Sequence, residues 1–303
     1  MDRSSIYYKQ VQWLLRLLPL VAEEDCFALK GGTAINLFVR ELPRLSVDID
    51  LVYLPMNNRH DALDDITRAL VRITQRIKDS FPEASVVEAF KDKSDALRLV
   101  ASHDGVKVKI ELSPVLRGTV FEPEARSVCK QVEDEFGYAE MVVVSMADLY
   151  AGKICAALDR QHPRDLYDVK CLLENEGLTD DIRSAFLIYL ISHVRPIAEL
   201  LSPVCKDIKP LYEGEFIEMA QESVSLEALE STREQLIRLI NTELQENEKQ
   251  FLLSFKNKNP DWSLINLKGV ESLPAVKWKL INLENMSTDK HKAAYKKLQK
   301  LIG

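Results

Sequence analysis

No Cys-x-x-Cys pair occurs in this chain, and its five cysteines (Cys26, Cys129, Cys155, Cys171 and Cys205) lie far apart. That spacing argues against a zinc site or a disulfide framework. None of the five histidines clusters with another, so histidine-based metal or triad chemistry has no support. The G-x-x-x-x-G-K-[ST] pattern of a P-loop is missing as well. Long hydrophobic runs are absent: the most apolar early stretch, WLLRLLPLVA, is too short to span a bilayer and is broken by Arg16 and Pro19. No N-terminal segment reads as a signal peptide. The expectation is a cytoplasmic protein with no membrane association.

What remains is the composition of a globular protein, 46% hydrophobic and 29% charged over 303 residues, long enough for two domains with cores of their own. The net charge of −7 hides an asymmetry. From residue 251 to 303 there are ten lysines against four acids, so the rest of the chain carries about −13. A basic end of this kind suits nucleic acid phosphates, and it equally describes a solvated lysine-rich helix surface.

Along the chain, residues 5–22 read as an amphipathic helix and CFALK as a short strand ended by Gly31-Gly32. TAINLFVREL has helical spacing with Thr33 as its expected N-cap. LSVDIDLVYL alternates and is rich in β-branched residues, so it is a strand. Residues 60–79 form a long helix. ALRLVAS and VKVKIELSPV read as paired strands joined through HDG, and EMVVVS as one more strand. After Ser145 the period turns helical and stays so, with SLEALESTREQLIRLINTELQENEKQFLLSF as one long helix. The fold class expected is α+β. An N-terminal domain (1–144) has a mixed sheet with flanking helices, and a helical domain (145–303) carries the basic segment.

The chemistry concentrates at Asp48 and Asp50. Residues two apart on a strand point the same way, so both carboxylates stand on one face while Ile49 enters the core. Two such acids repel unless a cation lies between them, and a divalent metal is the natural candidate. Glu111, on a later strand, is a third candidate ligand. The Gly31-Gly32 turn lets backbone approach phosphates closely, and the helix after it offers its positive N-terminus. This is the set that metal-dependent nucleotidyl transfer needs.

These residues carry a resemblance to a known family. GGTAINLF…RLSVDIDLVY, KIELS, DLYAGKICAALDR, RDLYDV and FLLSFKNKNPDW…LPAVKWKL together resemble the AbiEii/AbiGii-type nucleotidyltransferase toxins, which include the MenT toxins, within the polymerase-β-like superfamily. The resemblance spans nearly the whole chain. It implies a toxin of a bacterial toxin–antitoxin or abortive phage-infection module, opposed by a cognate AbiEi-like antitoxin. It further implies an enzyme that uses NTP and Mg²⁺ to add nucleotides to the 3′ end of tRNA and so blocks translation. The same fold would also serve transfer to a protein hydroxyl or small molecule, or a non-catalytic binding module.

Carried over by position, the resemblance makes Asp48, Asp50, Lys153 and Asp165 catalytic and assigns metal to Asp48, Asp50 and Glu111. The nucleotide then falls to Gly31, Gly32, Thr33, Lys153 and Arg164. Lys153 suits a triphosphate oxygen, although a surface helix lysine is the plainer reading. Asp165 is the candidate for receiving a proton from, or orienting, the incoming ribose hydroxyl. Arg164 and Asp168 are spaced as a helical ion pair, and Asp148 reads as part of a capping box begun by Ser145. For RNA, the candidates are Lys277, Lys279, Lys296 and Lys297, with Trp262, Trp278 and Tyr295 available to stack on bases.

Overall fold

The computed structural model describes residues 3–91 and 96–303. It divides the chain into two compact units. One comprises residues 1–145 and 217–223, the other residues 146–216 and 224–303. A single cut near residue 145 therefore misses a return: the short segment 217–223 rejoins the first unit. There Arg44 bridges Ala220 in antiparallel fashion, and the Leu45 N–H donates to Met219 O at 2.8 Å.

The first unit is built on seven strands: β1 (Phe27–Lys30), β2 (Asp48–Tyr53), β3 (Ser85–Glu88), β4 (Arg98–His103), β5 (Val106–Leu112), β6 (Glu124–Ser127) and β7 (Glu140–Val143). Their order across the mixed sheet is β3-β4-β5-β2-β1-β7-β6, so the strand carrying the acids is central. β2 runs parallel to β5 and antiparallel to β1. Alternation sets the faces. Val106, Val108 and Ile110 are buried while Lys107 and Lys109 between them are exposed. The Asp104-Gly105 turn takes left-handed φ at both residues, as a two-residue hairpin requires.

Helices α1 (Ile6–Ala22) and α3 (Arg59–Ser80) pack on the sheet. The Trp13 indole of α1 donates to Ala101 O at 3.1 Å. Between β1 and β2 the chain forms a short helix, α2 (Gly31–Ala34), that widens into a π-helical turn over Ile35–Val39. Thr33 therefore lies inside the first turn instead of capping it, and Lys30 holds the cap position. The two strands not foreseen, β3 and β6, form the sheet's edges. They are short and largely exposed, with no apolar alternation to announce them.

The second unit is helical throughout: α5 (Met146–Asp159), α6 (Pro163–Asn175), α7 (Asp180–Ser192), α8 (Ile197–Leu201), α9 (Lys209–Glu215), α10 (Leu226–Glu243), α11 (Glu246–Lys256), α12 (Pro274–Glu284) and α13 (Thr288–Ile302). One short helix of the first unit, α4 (Lys130–Phe136), precedes them. The long helix expected over residues 225–255 breaks at Leu244-Gln245, because Gln245 and Glu248 form a capping box that starts α11. Glu248 is buried and works twice. Its Oε2 receives the Gln245 N–H at 2.9 Å, and its Oε1 receives the Arg183 Nε–H of α7 at 2.9 Å. Arg183 keeps a second partner, Asp180, 2.8 Å from its Nη1, so loss of Glu248 weakens the pairing without leaving the guanidinium alone. Glu248→Ala is expected to lower the unfolding free energy by about 1–3 kcal/mol, read as a shift in the urea midpoint; an unmoved midpoint would deny the pair any structural part.

Candidate active site

On the first unit, β1 delivers the chain to Gly31 at the edge of the acid pair. Gly31 has φ +75°, a left-handed conformation that an L side chain adopts only with strain. A Cβ there would also run into Asp50 Oδ2. The carboxylate of Asp50 therefore rests against the glycine backbone at the start of α2. Gly32 is needed for a different reason: a Cβ would lie 2.8 Å from Arg44 Nη2 and 2.9 Å from Ser46 Oγ.

Strand register arranges the charges in a row. Lys30 stands opposite Asp50, Asp50 opposite Glu111, and Glu111 opposite Arg98, so the row crosses β1, β2, β5 and β4. One step along, Asp48 stands opposite Lys109. Asp48 and Asp50 are both half-buried on the same face, with Ile49 fully buried behind them. Asp50 and Glu111 are like charges on adjacent strands, an arrangement that is destabilising without a cation nearby. Glu111 meets this by turning to Arg98, whose Nη1 donates to its Oε1 at 3.2 Å. Among the described residues, no three His, Cys, Asp or Glu side chains converge closely enough to hold a metal. Of the three carboxylates expected from sequence, Asp48 and Asp50 share one face of β2, while Glu111 on β5 has Arg98 as its partner. A pair fits Mg²⁺, which binds through one or two carboxylates and keeps its other positions for phosphate and water.

Thr33 is fully buried, and its hydroxyl donates to Asp48 O at 2.5 Å with Ser46 Oγ 3.0 Å away. That hydroxyl faces the protein and fixes the helix start to the acid strand. The glycine that meets an acid is Gly31, against Asp50.

On the second unit, Lys153 of α5 and Asp165 and Asp168 of α6 form a buried cluster. Lys153 Nζ lies 2.8 Å from Asp165 Oδ1 and 3.0 Å from Asp168 Oδ2. Arg160 closes over it, donating through Nε and Nη2 to the two oxygens of Asp165 at 2.5 and 2.9 Å. The corner that allows this is Gln161, which holds left-handed φ of 54°. Its amide is locked by Val204 O, the Lys206 N–H and Arg233 Nη1. Burial works to raise the Asp165 pKa, but the charges and hydrogen bonds of Lys153 and Arg160 overcome it and hold the carboxyl well below the usual range. A carboxylate held ionised in this way suits the orienting role expected for Asp165 better than the proton-accepting one. Lys153 is likewise not the open point charge expected, since two carboxylates already neutralise it. Arg160, 62% exposed, is the member of the cluster that reaches solvent.

Arg164 sits beside His162 and Glu215, with Nη2 3.5 Å from Glu215 Oε2. Asp168 turns inward to Lys153, so the helical pair read from the spacing gives way to these partners. His162 caps α6, its Nδ1 accepting the Arg164 N–H at 3.1 Å. Burial, then the Arg164 charge, lower its pKa, in keeping with a neutral ring that accepts there. Asp148 is buried and accepts from the Tyr189 hydroxyl at 3.1 Å.

The basic segment separates into two kinds of lysine. Lys279 Nζ is engaged by His193 O and Val194 O at the end of α7, and burial, then Lys256, lower its pKa to about 8. It leaves the set of nucleic-acid candidates. Lys277, Lys296 and Lys297 are exposed, the last 3.5 Å from Glu199. Trp262 packs on Phe251 with ring centres 5.2 Å apart, whereas Trp278 is 47% exposed. Arg98 and Gln161 were not singled out from sequence, whereas Arg160 belongs to the same family motif as Arg164, Asp165 and Asp168; strand register could have suggested Arg98, which no local pattern marks.

A mixed sheet presenting two acids beside a Gly-Gly helix start is an arrangement suited to phosphoryl chemistry, and the family match makes the chain a nucleotidyltransferase. The sequence model described as nucleotidyl transferase AbiEii toxin, type IV toxin–antitoxin system, matches residues 13–282. The chain belongs to that family, whose type implies a nucleoside triphosphate substrate and an antitoxin counterpart. Among solved structures, the fold is similar to that of MenT4, a nucleotidyltransferase toxin from Mycobacterium tuberculosis H37Rv. All of each chain is covered, with a TM-score of 0.59 and 13% identity. No curated protein matches significantly. Among the described residues, no helix is long and apolar enough to cross a membrane.

Two outcomes follow from this geometry. Gly31→Ala should cost about 1–2 kcal/mol for the left-handed backbone alone and displace Asp50, lowering nucleotidyl transfer as well as the thermal midpoint; a variant with wild-type activity would dissociate Asp50 from the glycine. Asp165 has a depressed folded-state pKa, so the stability it contributes is full above the ordinary aspartate pKa of about 3.9 and drains as pH falls below it. Unfolding free energies measured down to pH 2.5 should therefore fall less steeply in Asp165→Asn than in wild type, and equal slopes would refute the assignment.

Proposed function

We propose that the protein transfers a nucleoside monophosphate from NTP to the 3′ end of tRNA, with pyrophosphate leaving, and that the modified tRNA no longer supports translation. The observation that carries the reading is the seating of the Asp50 carboxylate on Gly31, with Asp48 on the same strand face. Asp48 and Asp50 would hold Mg²⁺, which when bound supplies charge neutralisation for the triphosphate and the developing pentavalent phosphorus. The backbone N–H groups of Gly31 and Gly32 orient phosphate oxygens, and the strand keeps both carboxylates rigid. Thr33 holds this helix start against β2. The Lys153–Asp165–Asp168 cluster positions α5 against α6 and presents Arg160, with Arg164 as the second residue of α6, as cationic groups for phosphate.

RNA as the acceptor class is supported by the exposed lysines of α12 and α13, Lys277, Lys296 and Lys297, and by the exposed ring of Trp278 on α12. A toxin of this activity would act in the cytoplasm and serve abortive defence against phage, with an AbiEi-like antitoxin as its counterpart. The test is incubation of purified protein with Mg²⁺, each labelled NTP and total tRNA, followed by sequencing of RNA 3′ ends. Wild type is expected to label tRNA; Asp48→Ala and Asp50→Ala should give only background, while Glu111→Gln, already committed to Arg98, should retain partial activity. Labelling that persists in Asp48→Ala, or that goes to protein and not RNA, would overturn the reading.

A further inference from the structure

A second cationic feature lies on the first unit, away from the acid row. Arg117 is only 6% exposed, yet among the described residues no carboxylate pairs with it. Its Nη1 lies 3.3 Å from Asn57 O and 3.4 Å from Asn58 O, both weak contacts to neutral carbonyls, and its buried Nε has no hydrogen-bond partner. The charge that most affects it is a like one, from Arg59, and burial followed by that neighbour lowers its pKa. A lysine in this position could shed its proton; a guanidinium cannot. A buried cation without a counter-charge costs several kcal/mol, and no described group of the protein offsets it.

The charge that bears most on Arg117 comes from a second cation, and the carboxylates of the first turns of α3 are each held by another side chain. Arg59 is the first residue of α3, a helix of 22 residues, and is exposed, with Nη1 donating to Pro114 O at 3.2 Å. The helix N-terminus carries partial positive charge of its own. Asn58 caps it by accepting the Asp61 N–H at 3.1 Å and donating to the Asp61 carboxylate at 2.6 Å, so the one acid of the first turn is already engaged. His60 is paired with Asp64 at 3.5 Å. The neighbouring Tyr53 hydroxyl donates to Asp65. Arg117 is thus aimed at the start of α3, where Arg59 adds a second guanidinium.

We propose that Arg117, Arg59 and the N-terminus of α3 form an oxyanion site that takes a phosphate group. Arginine forks match phosphate oxygens, and charge-assisted hydrogen bonds to them are strong. The site is distinct from the acid row. Gly118, next to Arg117, donates to Tyr53 O at 2.8 Å, and Tyr53 lies three strand residues beyond Asp50, roughly 10 Å along β2 at about 3.3 Å per residue. The proposal does not rest on the transfer reaction, and its test uses no turnover.

Binding of orthophosphate, and separately of a short single-stranded RNA lacking terminal phosphate, is measured by calorimetry without Mg²⁺ and at constant ionic strength set by sodium chloride. The proteins are wild type, Arg59→Gln, Arg117→Lys and Asp50→Ala. Wild type is expected to bind orthophosphate, with affinity roughly tenfold weaker in Arg59→Gln, from the loss of one charged hydrogen-bonding partner, and unchanged in Asp50→Ala. Arg117→Lys keeps a charge but loses the fork and should weaken binding as well. If RNA loses affinity in Arg59→Gln in parallel, the phosphate is a phosphodiester of a strand; if only orthophosphate does, it is a free oxyanion. Absence of orthophosphate binding, or equal affinity in wild type and Arg59→Gln, overturns the site. Arg59 is exposed, so that comparison does not depend on whether the Arg117 variant folds.

Discussion

The placement of one carboxylate organises the first unit. Asp50 can lie against the helix start only because Gly31 has neither a Cβ nor an objection to left-handed φ. From that contact follow the sharp exit from β1, the short helix behind it, and the hydroxyl of Thr33 reaching back to Asp48 O. Gly32 extends the same logic on the other side, where Arg44 and Ser46 fill the space a side chain would occupy. Backbone and carboxylates are thereby held together before any ligand arrives, which is the preorganisation that phosphoryl chemistry relies on.

The acids are balanced by cations at two levels. Across the sheet, Lys30 and Arg98 flank Asp50 and Glu111 in a single row, so the central strand is not an isolated patch of negative charge. Within the helical unit, Lys153 and Arg160 neutralise Asp165 and Asp168. The two differ in kind: Asp165 and Asp168 are out of water and need their partners, whereas Arg98 and Glu111 meet at an exposed surface where such a pair is worth little. Glu111 and Asp165 are thereby committed to arginine and lysine partners. Asp48 and Asp50 remain as the pair facing the glycine turn.

Much of this was legible in the primary structure because periodicity reports burial. The β2 and β5 strands, the hairpin turn at Asp104-Gly105, the helices α1 and α3 and the all-helical second half follow from spacing alone, and the Gly-Gly turn with D-x-D marks the chemistry. The features that were not legible depend on groups far apart in sequence. Edge strands β3 and β6 lack an apolar face and pair only because a sheet is already there. The break before Gln245 rests on Glu248, whose second partner Arg183 is 65 residues away.

The chain's residue order determines the alternation that puts Asp48 and Asp50 on one face, because a strand's period of two is local. It determines equally that Gly31 is free to bend where they stand. Which side chains these charges meet was decided only by tertiary structure: register placed Arg98 against Glu111, helix packing buried Lys153 between two aspartates, and among the described residues no acid pairs with Arg117. Electrostatic partnership is a matter of distance in space, and no spacing along the chain encodes it.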